Sequence, residues 1–497
     1  MGKAVVIGGG FSGLAAASFV AQQGHKVTLL EKNSTVGGRA RSFSAGGFMY
    51  DMGPSWYWMP DVFERFFRQF GRTAGNYYEL TKLDPGFQMI FGANDVMPVP
   101  ADLQELMGLF EKIEKGSAAK LKKFLDESEY KYRVAMSSLV YRPSYSWLEF
   151  ARYDLLKGVA KLHVFQSLSK HVRGYFSDER LIALMEFPAL FLGAMADRIP
   201  ALYSLMNYSA LVQGTWYPMG GMVKIAEGMR ELATELGVRF ETDCNVTHID
   251  VRGRKATGLQ TSKGNITADG IIAAADYNHV EQKLLDAQYR NYDSEYWEKR
   301  TFAPSSLIYY VGINKRIKKL IHHNLFFDTS LQQHAEEIYV NPSWPAAPLF
   351  YVCCPSKTDP DVAPEGMENL FILIPVAPGL KDTEEVRQKY FNTVMERMEA
   401  LLGEPVKDHV VYQRSYCVSD FEQDYNAYKG NAYGLANTLR QTAVLKPTLK
   451  NRHIDNLFYA GQLTVPGPGV PPALISGEIA ANELIKKIKS PLHEAIV

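Results

Sequence analysis

Gly8, Gly10 and Gly13 follow directly on a short apolar run, residues 3–7, and glycines at that spacing let a backbone come up against a diphosphate. Gly8 permits a tight turn out of a strand, Gly10 leaves room for the pyrophosphate, and Gly13 lets the next helix pack closely on the strand. Phe11 and Ser12 open that helix, so its first amides and its dipole face the phosphates. Glu31, eighteen residues after Gly13, closes a second apolar run at residues 26–30. A carboxylate there accepts hydrogen bonds from a ribose with a free 2′-hydroxyl, where an arginine would have indicated a 2′-phosphate. Lys32 stands beside it. Gly37, Gly38 and Arg39 then supply a second close approach, with Arg39 and Arg41 as cations placed to bracket the pyrophosphate.

That second glycine set resembles the segment that clamps FAD in the flavoprotein superfamily of amine oxidases, protoporphyrinogen oxidase and bacterial-type carotenoid desaturases. The resemblance implies FAD rather than NAD. It also implies that Gly53, Pro54 and Ser55 pass beside the isoalloxazine ring, and that backbone groups of Val246 hold the adenine side. At the C-terminal end, Gly461 and Gln462 close a strand, a Pro/Gly loop crosses, and a helix begins near Gly469, Val470 and Pro471. Such a helix end can stabilise negative charge on the N1–C2=O2 side of a reduced flavin. Taken over nearly its whole length, most strongly at residues 5–51, 216–276 and 420–484, the chain looks like the phytoene desaturase family, nearer to its 1-hydroxycarotenoid 3,4-desaturases. It departs from that pattern at Gln462, where many members carry Ala, and at Pro472, which replaces a small residue.

The elements that must position these residues read as an α/β protein. A Rossmann-like FAD-binding domain is expected from three separate stretches, residues 1–95, 215–281 and 411–497, because the strand pattern resumes after residue 215 and again near the C-terminus. Residues 282–410, with strand-like runs at 306–313 and 370–376 and a long helix at 384–402, read as an inserted mixed-sheet substrate domain. Residues 96–214 read as a helical substrate and membrane-contact region, with helices over 103–139, 147–176 and 178–192. Lys120, Lys122 and Lys123 flank the apolar positions of the first, a pattern that suits either an anionic bilayer or a solvated helix.

A chain of 497 residues is too long for a single core of ordinary size. With 54 basic and 54 acidic side chains it carries no broad cationic field, which argues against nucleic acid as a partner. The four cysteines lack metal-ligand spacing, and Cys353 and Cys354 fit the buried strand of a reduced protein. Adjacent His322 and His323 would point to opposite faces of a strand, so no metal is expected. The most apolar long stretch, residues 181–206, is interrupted by charges and prolines, which disfavours spanning and leaves peripheral attachment to the inner face of the cell membrane as the expected location. Aromatics, 12% of the chain, concentrate between Tyr130 and Tyr217, as a tunnel for a long apolar substrate would require.

The resemblance implies FAD-dependent desaturation of a carotenoid, with 3,4-desaturation of a hydroxylated acyclic or monocyclic (gamma-carotene-type) carotenoid ahead of a multi-step phytoene desaturation. An amine oxidase and a non-enzymatic isoprenoid-lipid escort are the rival readings. Hydride chemistry belongs to the cofactor, so no triad or metal cluster is required, and the catalytic residues stay unassigned. Asp51, Glu186 and His163 are open as proton acceptors, and oxygen or a quinone as the electron acceptor.

Overall fold

The computed structural model describes residues 2–150, 163, 166–438 and 440–488. Five short strands drawn from three stretches of chain form one parallel sheet, in the order Leu457–Tyr459, Gly270–Ala273, Lys3–Ile7, Lys26–Leu30 and Arg239–Glu241. Parallel sheets are buried on both faces. Ala4 and Val6 accordingly pack toward the helix Phe11–Gln22, while Val5 and Ile7 pack toward a three-stranded antiparallel sheet, residues 246–267. The helix Phe11–Gln22 is enclosed by this sheet and by the helices Val223–Glu235 and Val470–Ile485, and every residue from Phe11 to Ala21 is buried. Its small, apolar sequence is what a helix without a solvent face needs.

The second large element is a seven-stranded sheet, ordered Val410–Tyr416, Ser305–Ile313, Glu368–Val376, Phe350–Cys353, His323–Phe326, Phe87–Gly92 and Asp95–Val99. Its strands alternate strictly. Leu307, Tyr309, Val311, Ile372 and Val352 face the long helix Glu384–Leu402. Ile308, Tyr310, Phe371, Tyr351 and Cys353 face the cofactor layer. The hairpin of Phe87–Gly92 and Asp95–Val99 belongs to this sheet through its parallel pairing with His323–Phe326, so the boundary expected at residue 95 falls inside a hairpin. Sequence alone offered no sign that a hairpin so early in the chain would find its partner more than two hundred residues later.

The region between residues 103 and 139 is two helices, Leu103–Ile113 and Ser117–Ser138, because Gly116 adopts φ 84° between them. Asp178 caps the helix Glu179–Glu186 by accepting the Arg180 amide at 2.9 Å, and Pro188 turns the continuation into a 3-10 turn, Phe187–Leu192. Of the helix expected over 147–176, residues 151–162 and 164–165 lie outside the described residues, and the rest gives a turn, Trp147–Phe150, and a short helix, Leu168–Arg173. No helix among the described residues is long and apolar enough to cross a membrane. His322 and His323 do not sit on opposite faces as expected: the strand starts only at His323, and the two rings lie 4.5 Å apart.

Candidate functional site

A deep cleft runs between the ends of the parallel strands and the inner face of the seven-stranded sheet, with about 1580 Å³ of empty space including the solvent at its mouth. At its base the first glycine loop is fixed by hard contacts. The Gly8 amide donates to the Leu30 carbonyl at 2.8 Å, and a Cβ on Gly13 would stand 1.9 Å from the Gly8 carbonyl oxygen. Gly10 differs. Its φ of −77° suits any residue, and a Cβ there would meet only the Gly38 Cα, at 3.9 Å. The protein therefore needs no glycine at position 10 for its own packing; the open space above it is what a pyrophosphate needs. Gly37 binds the Gly9 carbonyl through its amide at 2.8 Å, which seats Gly38 and Arg39 on the rim of the same loop.

Glu31 is buried and lines the cleft. One carboxylate oxygen accepts the Gly9 amide at 2.8 Å and the other accepts the Asn33 main-chain and side-chain amides, each at 2.9 Å. The oxygen facing Gly9 keeps a free lone pair for a ribose hydroxyl. Arg39 carries the clearest imprint of an anion. Its guanidinium donates to the Asn431 carbonyl at 3.1 Å and lies over the Tyr425 ring at 5.0 Å, but its Nε has no partner, and no carboxylate reaches ion-pair distance of it among the described residues. Burial pushes its pKa down. Asp276 offsets part of this charge from beyond ion-pair distance, and a half-buried cation on a cleft wall gains further when a ligand brings a countercharge. Arg41 does not share this task as expected. It turns away to an ion pair with Asp424 at 2.8 Å and is absent from the cleft wall. Lys32 lines the cleft and donates to the Gln423 carbonyl at 2.6 Å.

Val246 lines the opposite flank beside Cys244 and Asn245, and Asp276 and His279 close that end. At the other end stand Gly53 and Pro54; a Cβ on Gly53 would be 2.6 Å from the Arg39 carbonyl oxygen, so this turn is pressed onto the cation's own backbone. Gly461 donates to Ser476 Oγ at 3.0 Å, and Gln462, the departure from the family pattern, donates its side-chain amide to Asn431 at 3.0 Å. Asn431 thereby ties Gln462 to Arg39. Gly469 and Val470 line the cleft where the helix Val470–Ile485 begins. Pro471 and Pro472 lack amide hydrogens and the Ala473 amide is spent on Gly469, so this helix end acts through its dipole and the Val470 amide rather than through a full turn of donors.

Besides Arg41, three expected positions are not on the cleft wall. Gly13 and Pro471 shape it from behind. Ser55 faces a separate small cavity. Sequence reasoning did not place the roof, formed by Ser306, Ile308 and Leu373 on strands without a local motif and by Ala432 and Tyr433 in a stretch that carries the family resemblance but was assigned no contact, all hundreds of residues from the glycine loop.

A cleft with a buried carboxylate, a half-buried guanidinium without a carboxylate at ion-pair distance and an open glycine floor, under a largely apolar roof, is shaped for a dinucleotide cofactor. A model of the flavin containing amine oxidoreductase family matches residues 11–485, and the chain belongs to that family. It is 41% identical to a carotenoid 3,4-desaturase of Haloarcula japonica over 97% of this chain and 98% of that one, and 31% identical to a zeta-carotene-forming phytoene desaturase of Myxococcus xanthus over 97% and 94%. In fold it is similar to a putrescine oxidase with bound putrescine, at a TM-score of 0.62 and 14% identity, covering 98% of this chain and 99% of that one. Within its family the protein is a carotenoid desaturase, an oxidoreductase whose cofactor is FAD.

Proposed function

We propose that this enzyme introduces the 3,4 double bond into a hydroxylated acyclic or monocyclic (gamma-carotene-type) carotenoid. The observation that carries this reading is the difference between 41% identity to a carotenoid 3,4-desaturase and 31% to desaturases that form zeta-carotene or diaponeurosporene. Multi-step desaturation of phytoene is the second reading, favoured by the 31% identity to a zeta-carotene-forming phytoene desaturase over 97% of this chain.

FAD supplies the hydride acceptor for oxidation of a CH–CH bond. Glu31 would hold the ribose, the Gly10 floor and Arg39 the pyrophosphate, and Val246 the adenine side. Gly53, Pro54 and Val470 would flank the ring. The chain's own part in the chemistry is alignment and dryness: Ile308, Leu373 and Ala432 give the roof an apolar surface against which a polyene lies without hydrogen-bonding demands, and water is kept from the reacting carbons. A substrate dissolved in a bilayer requires peripheral contact with the inner face of the cell membrane, and oxygen or a quinone would restore the oxidised cofactor.

Expression in cells that accumulate defined carotenoids, with pigments read by absorption, tests the bond oxidised. A 1-hydroxylated carotenoid should gain one conjugated double bond per end, and phytoene should remain unchanged. Conversion of phytoene to coloured products would replace this reading by the second. Full activity on carotenoid without any lipid phase would remove the membrane requirement.

A further inference from the structure

Adjacent histidines share no ion when a strand sends them to opposite faces, but His322 and His323 escape that rule. His322 precedes the strand His323–Phe326, so its ring turns toward its neighbour, and the two rings lie 4.5 Å apart. Directly across the sheet from His323 stands Cys353, and residues so paired project from the same face. One ring nitrogen of each histidine and the Cys353 sulfur all lie within 4.8 Å of one another. A tetrahedral zinc ion holds its nitrogen and sulfur ligands about 3.5 Å apart, so closing each gap by about 1 Å brings the three onto one ion.

The surrounding polar atoms hold these side chains as ligands are held. Thr358 Oγ1 lies 2.7 Å from His322 Nδ1, and the Tyr351 oxygen lies 2.6 Å from His323 Nδ1. Tyr351 donates its own hydrogen to Ser55 Oγ at 3.0 Å, so the His323 proton sits on Nδ1 and Nε2 carries a lone pair. The Nε2 atoms of both rings are buried without a hydrogen-bond partner, in residues only 4% and 0% exposed. Such atoms are costly in a protein interior unless something uses them. The Trp56 ring, stacked 4.1 Å from His323, and the Tyr217 ring, 4.7 Å from His322, fix both imidazoles. Cys353 also lines a closed cavity with room for a single water, and Asp51 lines the same cavity. Burial pushes the Cys353 thiol above its usual range and the Asp51 carboxyl up to about 7, a cost that a divalent cation offsets. A second cluster among the described residues, Glu127, His163 and His171, differs, because the Lys131 ammonium already stands 3.3 Å from His171 Nε2.

We propose that His322, His323 and Cys353 bind one Zn²⁺ ion, with the water of the closed cavity as fourth ligand and Asp51 as the countercharge behind it. Binding breaks the Cys353 S–H bond: the sulfur electron pair goes to the metal and the proton leaves to solvent, with no change of oxidation state. The strands His323–Phe326 and Phe350–Cys353 lie edge to edge, and from Asp51 the chain runs on to Gly53 and Pro54 on the cleft wall. The ion thus pins the seven-stranded sheet to the segment beside the cofactor, a structural task that holds whichever carotenoid is oxidised.

The test uses full-length, FAD-loaded protein produced in medium supplemented with zinc or cobalt, with metal counted per chain by elemental analysis. About one zinc per chain is expected. Cobalt should give the intense d–d bands of a tetrahedral site, at longer wavelengths than the flavin absorbs, and a thiolate-to-cobalt charge-transfer band. Cys353→Ser and His323→Gln should each lose at least about 100-fold in zinc affinity. Cys354→Ser, whose side chain packs in the core with the helix Glu384–Leu402, should keep its zinc and its cobalt spectrum. Thr358→Val leaves all three ligands in place and should weaken zinc by about 10- to 100-fold through His322 alone. Should the ligand variants fail to fold, the cobalt spectrum of the unaltered protein and Thr358→Val decide. Protein that carries no zinc, a cobalt spectrum without a sulfur ligand, or unchanged zinc affinity in Cys353→Ser or Thr358→Val would overturn the proposal.

Discussion

The two ends of the cleft are built by opposite means. The glycine end, proposed to hold the phosphates, is made from backbone: Gly8, Gly10, Gly13, Gly37 and the amide that Gly9 gives to Glu31 all lie within a few tens of residues, and a Cβ at Gly8 or Gly13 would meet backbone at 2.8 or 1.9 Å while Gly10 stands open. The roof end is made from side chains, brought together by strand pairings such as Ile308 with Leu373 and Leu373 with Tyr351. Backbone contacts cannot relax without moving a strand or a helix, whereas a roof of Ile, Leu and Ala can repack. One end therefore fixes what cofactor is held, and the other can vary with the substrate while the fold persists.

Substitutions can break the contrast, and the largest effect should come from Gly13→Ala. With its Cβ 1.9 Å from the Gly8 oxygen the helix must back off the strand, which should cost about 3 kcal/mol in urea unfolding and abolish flavin absorbance together. Gly10→Val should separate the two outcomes. The flavin-free protein should lose no more than about 2 kcal/mol, the cost of a branched residue at a helix N-cap where a Cβ has only Gly38 near it, yet take up no FAD. A yellow Gly10→Val preparation would show that the pyrophosphate lies elsewhere. Glu31→Arg comes next: the Gly9 and Asn33 amides lose their acceptor, and with Glu31 proposed to hold the ribose, FAD affinity measured by titration should fall by about 2–3 kcal/mol. Arg39→Met should weaken FAD binding by about 2 kcal/mol while leaving the flavin-free protein as stable or slightly more so, because a half-buried charge without a carboxylate at ion-pair distance is removed. A less stable flavin-free Arg39→Met would mean that the guanidinium already has its countercharge. The smallest effect on cofactor belongs to Leu373→Ala at the roof, for which FAD content should stay constant and product distribution should change. Lost flavin there would erase the difference between the two ends.

The glycine turns were legible because their constraints are local. A glycine at a position of close approach is visible as a glycine, and Glu31 sits where the second strand of the unit must end. Arg41 misled, since adjacent cations look alike in sequence and only Asp424, far along the chain, draws one of them away. Ser55 misled for a similar reason: it follows two cleft residues, but the chain turns, and Tyr351 takes its hydroxyl to the other side. The boundary at residue 95 failed because strand alternation tells which face a residue takes and not which sheet it joins.

By itself the sequence determined the nucleotide-binding turn, through short-range backbone geometry that few residues other than glycine can satisfy, and the discontinuity of the parallel sheet, through strand runs that resume late in the chain, while resemblance over the whole length pointed to the flavin family. Only the tertiary structure decided that Arg39 and not Arg41 faces the cleft, that Gln462 reaches Arg39 through Asn431, and that a polar chamber lies behind an apolar roof. Those outcomes depend on which distant strands pair and in what register, and burial energy selects that pairing over the whole molecule rather than within any one stretch.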